Sequence, residues 1–90
     1  MYKIFYTSKF KKDYKTVQKR KYNLELLREV TILLIQNGEL PQKYKPHKLS
    51  GKYTDCWECH IKPDWLLIWT VDNEKSEIWL TRTGTHSDLF

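Results

Sequence analysis

Apolar residues recur along this 90-residue chain with two periods, and the change from one to the other divides it. Tyr2–Thr7 alternates and is rich in aromatics, which predicts a strand. Ser8 is placed to cap a helix from Lys9 to about Lys21. Its apolar positions Phe10, Tyr14 and Val17 fall at i, i+4 and i+7, one narrow stripe on a helix otherwise made mostly of lysine. Asn23 is placed to cap a second helix over Leu24–Gln36, where Leu24, Leu27, Val30 and Leu34, with Leu26 and Leu33, give a wide apolar face. Asn37-Gly38 stops it, since glycine adopts the left-handed conformation that closes a helix. Few residues separate the two helices, so they form an antiparallel hairpin.

After Gly38 the period changes. Glu39–Lys52 reads as a polar loop containing Pro41, Pro46, His47 and Gly51. Tyr53–Ile61 alternates, with Trp57, Cys59 and Ile61 on one face and Cys56, Glu58 and His60 on the other, and Pro63 breaks it. Trp65–Val71 is almost wholly apolar, as expected of a central strand covered on both faces. Asp72–Lys75 makes a hairpin turn, Ser76–Thr83 a last strand ended by Gly84, and Thr85–Phe90 a tail. The order is β-α-α-β-β-β: an α+β fold in which a helical hairpin packs on one face of a mostly antiparallel four-stranded sheet, with residues 1–90 as one domain. A core this small relies on bulky side chains, and four Trp, six Tyr and three Phe supply them.

Charge adds to the picture because it is uneven. The net charge is +5, but residues 1–22 carry eight bases against the single acid Asp13, while residues 23–90 carry eight bases and ten acids. A basic block of this density suits a phosphate backbone or an acidic protein partner; the alternative is a solvated helix face kept charged for solubility. The start of the chain lacks a charged leader followed by a long apolar run, and the apolar stretches Ile32–Ile35 and Trp65–Trp69 are far too short to span a membrane, so the cytoplasm is expected.

The candidate chemistry lies in three histidines, each in a distinctive string: His47 in K-P-H-K-L-S-G-K, His60 in W-E-C-H-I-K-P-D-W and His86 in R-T-G-T-H-S-D-L-F. Cys56-Trp57-Glu58-Cys59-His60 spells C-x-x-C-H, the attachment string of a c-type haem. Against haem, strand alternation sends the two cysteines to opposite faces, no export signal is visible, and Met1 is the sole methionine to serve as a sixth ligand. One cysteine pair without a second pair is not a zinc finger, and a redox pair needs its first cysteine at a helix start. Asp64, four residues beyond His60, either orients that imidazole or merely shapes the turn. Arg82 shares parity with Ile78 and Leu80, so an apolar face ends in a guanidinium that suits either a phosphate or a surface ion pair.

The strings H-K-L-S-G-K, E-C-H-I-K-P-D-W-L-L-I-W and R-T-G-T-H-S-D-L-F, in this order and spacing, resemble the YafQ branch of the RelE/ParE toxin superfamily over nearly the whole chain. The resemblance implies a RelE-like microbial RNase fold and a ribosome-dependent endoribonuclease, the toxin of a type II toxin–antitoxin pair, which cuts mRNA in the ribosomal A site. It implies catalytic roles for His47, His60, Asp64 and His86, with Arg82 and Phe90 as supporting substrate contacts. It sets the haem reading aside, with no cofactor and no metal expected. The partners it implies are a cognate antitoxin, the ribosome and mRNA, with Lys9, Lys11, Lys12, Lys15, Lys19 and Arg20 expected on RNA. RNA carries its own nucleophile, the 2′-hydroxyl. His86 is expected as general acid, His60 or Asp64 as base, and His47 and Arg82 as stabilisers of the phosphate. The rival classes are a non-catalytic RNA- or ribosome-binding module and a ParE-like gyrase inhibitor; the latter branch lacks this set of histidines.

Overall fold

The computed structural model describes residues 1–90. The chain runs β1 (Lys3–Tyr6), α1 (Ser8–Lys19), α2 (Leu24–Asn37), β2 (His47–Lys48), β3 (Trp57–Lys62), β4 (Trp65–Asp72), β5 (Glu77–Gly84) and α3 (His86–Leu89), with 3-10 turns at Gln42–Tyr44 and Gly51–Tyr53. The strands form one sheet in the order β1-β5-β4-β3-β2. β1 runs parallel to β5, with the helical hairpin and the other three strands between them in the chain, and the other pairings are antiparallel.

β4 is the centre of the sheet, and Trp65, Leu66, Leu67, Ile68 and Trp69 are all buried. Its alternation splits two cores. Trp65, Leu67 and Trp69 meet Phe10, Val17, Leu27, Val30 and Leu34 from the hairpin, together with Cys59, Ile78 and Leu80. Leu66 and Ile68 point the other way, to Tyr53, Cys56 and Leu89. The expected faces of β3 hold, since Cys59 lies in the first core and Cys56 in the second. Burial pushes the Cys59 thiol up to about 12 and raises Cys56 as well, so both cysteines are buried free thiols held protonated.

Five local readings differ from the sequence-based expectation. The strand expected from Tyr53 begins only at Trp57, because Tyr53 closes a 3-10 turn and Asp55 takes a left-handed φ of 71°. Thr7 rather than Ser8 caps α1, its hydroxyl accepting the Phe10 N–H at 3.0 Å, because the chain leaves β1 one residue earlier. His47 lies in β2, a two-residue fifth strand that pairs with Trp57 and Glu58, where a loop is expected. The tail closes into a helical turn, because Thr85 and Asp88 form a reciprocal capping box. The parity expected of Arg82 is also overturned. The register shifts where Ile68 pairs Arg82 but Trp69 pairs Leu80, so Thr81 is an extra residue and Arg82 turns to the face opposite Leu80.

The expected caps of α2 hold: Asn23 accepts the Glu25 N–H at 3.1 Å, and Gly38 closes the helix with φ 72°. A Cβ at Gly38 would collide with the Tyr2 ring, which seats β1 against the end of α2, and the left-handed φ adds strain. Gly38→Ala is expected to destabilise the fold by more than about 1 kcal/mol. Urea denaturation checks this, and an unchanged midpoint would show that Tyr2 does not hold that corner.

Candidate active site

Strand pairing brings the three histidine strings to one end of the sheet. Across β3, β4 and β5 the rows read Glu58–Ile68–Arg82 and His60–Leu66–Gly84. Adjacent strands lie about 4.8 Å apart, so the outer members of each row are about 10 Å from one another across β4. That separation sets the scale of the surface between groups on β3 and groups on β5 and α3. β3 ends with a register shift after His60, and Asp64 sits in the turn to β4.

On the β3 side, His60 Nδ1 faces the Pro63 carbonyl at 3.3 Å. A carbonyl accepts only, so the contact requires a proton on Nδ1, and in the neutral ring that tautomer leaves the Nε2 lone pair open. His47 packs beside it, the ring centroids 6.4 Å apart. Its Nδ1 faces the Lys45 carbonyl at 3.0 Å and its Nε2 lies 3.2 Å from Glu58 Oε1. With acceptors at both nitrogens, the doubly protonated ring satisfies both contacts.

Glu58 is the residue that sequence reasoning missed here. It is 6% exposed, and its Oε2 has no hydrogen-bond partner. A buried carboxylate with an orphan oxygen is costly to a fold and typical of a working site. The available signal was its parity with His60: a charged residue aimed at a face that Cys56 and Leu66 make apolar.

On the other side, α3 presents His86 with Phe90 stacked on it at 4.8 Å. Tyr53 meets Phe90 edge-on at 5.3 Å and donates from its hydroxyl to the Leu89 carbonyl at 2.8 Å. Arg82 Nη1 reaches the same hydroxyl at 3.4 Å. The Arg82 fork is otherwise bound to Asp13, at 2.6 Å from Nε and 3.2 Å from Nη2, and that carboxylate raises the guanidinium pKa further. Asp13 also accepts the Thr83 N–H at 3.1 Å, so the lone acid of the basic block seals the edge of β5 that β1 leaves uncovered. Tyr53 and Asp13 were both missed; the second announced itself as the one acid among eight bases.

Asp64 joins the two sides in an unexpected way. Its Oδ1 accepts the backbone N–H of His86 at 3.3 Å, while the carbonyl of Pro63 takes the place beside His60 where Asp64 was one expectation. Lys9, Lys11, Lys12, Lys15 and Lys19 are exposed on α1, and none is in an ion pair. Arg20 differs from them, since both its amino groups bind Asp88. No three His, Cys, Asp or Glu side chains converge as a metal-binding set.

Residues 2–90 match the family model described as the bacterial toxin of type II toxin–antitoxin systems, YafQ. The chain is 38% identical to the mRNA interferase toxin YafQ of Escherichia coli K12 over 88 residues, 97% of this chain and 94% of that one. It superposes on the toxin of the E. coli DinJ–YafQ complex with a TM-score of 0.89 at 36% identity, covering 100% of this chain and 99% of the other. A metal-bound toxin from Helicobacter pylori matches with a TM-score of 0.90 at 40% identity, both chains covered in full.

Asp88 gives this region a pH dependence. Hydrogen bonds from Arg20 first, and from the Thr85 N–H second, hold its carboxyl well below the usual carboxylate range. A depressed folded-state pKa contributes stability that is present above the unfolded value near pH ~4 and lost as the pH falls below it. Asp88→Asn is therefore expected to flatten the acid limb of the stability curve below about pH 4. Thermal unfolding from pH 6 to pH 2 checks this; parallel curves for the two proteins would contradict it.

Proposed function

The chain belongs to the family of YafQ toxins of bacterial type II toxin–antitoxin systems, and on that basis we propose that residues 1–90 act as one ribosome-dependent endoribonuclease domain. Its substrate is mRNA in the ribosomal A site, its place of action the cytoplasm, and its inhibitor a cognate antitoxin. The E. coli relatives are named as an mRNA interferase and as one half of a DinJ–YafQ complex, which supports both the activity and the partner. No helix is long and apolar enough to cross a membrane.

The observation that carries the reading is the gathering of three motifs, distant in sequence, at one end of the sheet: His47 and His60 on one side, His86, Phe90 and Arg82 on the other, with Asp64 between. In this mechanism the 2′-hydroxyl attacks the adjacent phosphorus and the 5′-oxygen leaves. His60 takes the 2′ proton on its open Nε2, with Asp64 as the alternative base. His86 donates a proton to the departing 5′-oxygen. The reference pKa of imidazole lies near ~6.5, so modest differences in surroundings let such rings exchange protons near neutral pH. His47, with acceptors on both nitrogens, and Arg82 supply positive charge to the pentacoordinate phosphate. Phe90, half exposed and stacked on His86, offers a face to a base. The products are a 2′,3′-cyclic phosphate, or the 3′-phosphate from its hydrolysis, and a 5′-hydroxyl. Lys9, Lys11, Lys12, Lys15 and Lys19 on α1 grip ribosomal RNA, a role suited to unpaired exposed lysines.

Mapping of mRNA 5′ ends after induced expression tests this. The native chain is expected to create new ends, and His86→Ala to reduce them by about 10²-fold or more, the scale of losing a general acid. Reversal of Lys9, Lys11, Lys12 and Lys15 to Glu is expected to weaken ribosome association and flatten its salt dependence. Undiminished cleavage by His86→Ala contradicts the general-acid role, and unchanged ribosome affinity in the reversed helix returns its lysines to solvent.

A further inference from the structure

Arg20 stands apart from the lysines of α1. It caps the C-terminus of that helix, and its guanidinium forks onto Asp88, Nη1 to Oδ2 at 2.7 Å and Nη2 to Oδ1 at 3.0 Å. Asp88 is the third residue of α3. Its Oδ2 also accepts the Thr85 N–H at 2.8 Å, and its own N–H donates to Thr85 Oγ1 at 3.1 Å. Gly84 makes room for this knot, since a Cβ there would lie 2.8 Å from Asp88 Oδ2. The carboxylate therefore shapes α3 and anchors it to α1 at once.

α3 has only four residues, too few to persist on its own hydrogen bonds. Its position is set from outside. The His86 N–H donates to Asp64, and beside Asp64 the buried Trp65 is packed edge-on by Tyr22 at 4.9 Å. Tyr22 lies two residues beyond Arg20. Arg20, Asp88, His86, Asp64, Trp65 and Tyr22 thus close a ring of contacts and chain connections that includes the backbone of His86.

We infer that Arg20 is a positioning residue, whose fork on Asp88 sets where α3 carries His86 and Phe90, rather than an RNA-contacting member of the basic helix. The inference rests on the reading of His86 as a group that acts on RNA. Both partners are about one-third exposed, and solvent-screened pairs contribute little to global stability. A two-point fork nonetheless fixes orientation in a way one bond does not. A misplacement of about 1 Å at a reacting group costs up to ~10²-fold in rate. The pair's contribution to the fold is the small, acid-sensitive one described above, and its larger effect falls on rate and local order.

Arg20→Gln, Arg20→Lys and Asp88→Asn test it with two readouts. The first is amide exchange at Leu89 and Phe90, whose N–H groups close α3 onto Thr85 and His86, measured in the free protein without RNA. The second is single-turnover cleavage of ribosome-bound mRNA over a range of ribosome concentrations. Arg20→Gln and Asp88→Asn are each expected to speed exchange at both amides and to lower the saturating rate by about 10- to 100-fold. The half-saturating ribosome concentration and its salt dependence are expected to stay as in the native chain. The double variant is expected to be no worse than either single one, and Arg20→Lys, which keeps charge without the fork, to fall between. Native-like exchange in Arg20→Gln overturns the inference. So does a raised half-saturating concentration with an intact saturating rate, which would make Arg20 an RNA contact. A native chain that cuts no mRNA would defeat the proposed activity, while the exchange measurement would still decide whether Arg20 holds α3.

Discussion

The structure depends on the burial of β4 on both faces. Trp65 through Trp69 are five consecutive buried residues, and their alternation makes one strand the floor of two separate cores. At roughly 25 cal/mol per Å² of apolar surface removed from water, a strand of this composition outweighs any single polar contact in the molecule. It also fixes geometry. β3 and β5 must pair with β4 in the registers that bury their own apolar residues, and a slip by one residue would turn every side chain to the wrong face. The positions of His60, Glu58, Arg82 and Gly84 follow from that requirement.

The polar groups at the end of the sheet refine what the cores impose. Two carboxylates that looked incidental are structural. Asp13 binds Arg82 and the open edge of β5, and Asp88 binds Arg20 and the start of α3. Each joins the basic helix α1 to an element carrying a candidate site residue, so the helix with the positive surface is also a wall of the site. Trp65 completes this from inside: its Nε1 donates to Thr83 Oγ1 at 2.9 Å, and that hydroxyl donates to the Leu66 carbonyl at 2.7 Å, a buried chain with every donor satisfied. Glu58 is the exception. Its unpartnered oxygen beside His47 is a cost that the second core tolerates, and such costs concentrate where groups serve something besides the fold.

Much of this was legible in the sequence because it follows from period and capping. The strands β1, β3, β4 and β5, both long helices, the Asn23 and Gly38 caps, and the opposite faces of Cys56 and Cys59 all follow from spacing. What escaped depends on contacts between residues far apart in the chain. The turn of Arg82 away from Leu80 needs the extra residue Thr81, which no local pattern marks. The pairing of His47 with Glu58 needs β2, two residues long and without a periodic signal. That Asp64 holds the backbone of His86, and Pro63 the ring of His60, is a matter of where a turn points its oxygens. The motif strings thus marked out most residues of the candidate site, though not Asp13, while the partner of each group came only from the fold.

The chemistry proposed for this site has a signature in its products. If the 2′-hydroxyl is the nucleophile and imidazoles manage the protons, mRNA cut by the purified chain on ribosomes must end in a 2′,3′-cyclic phosphate or 3′-phosphate, and the downstream piece must begin with a 5′-hydroxyl. End-group analysis of both fragments measures this directly. Fragments beginning with a 5′-phosphate would mean that water, not the RNA, attacks phosphorus, and would contradict the roles given to His60 and His86.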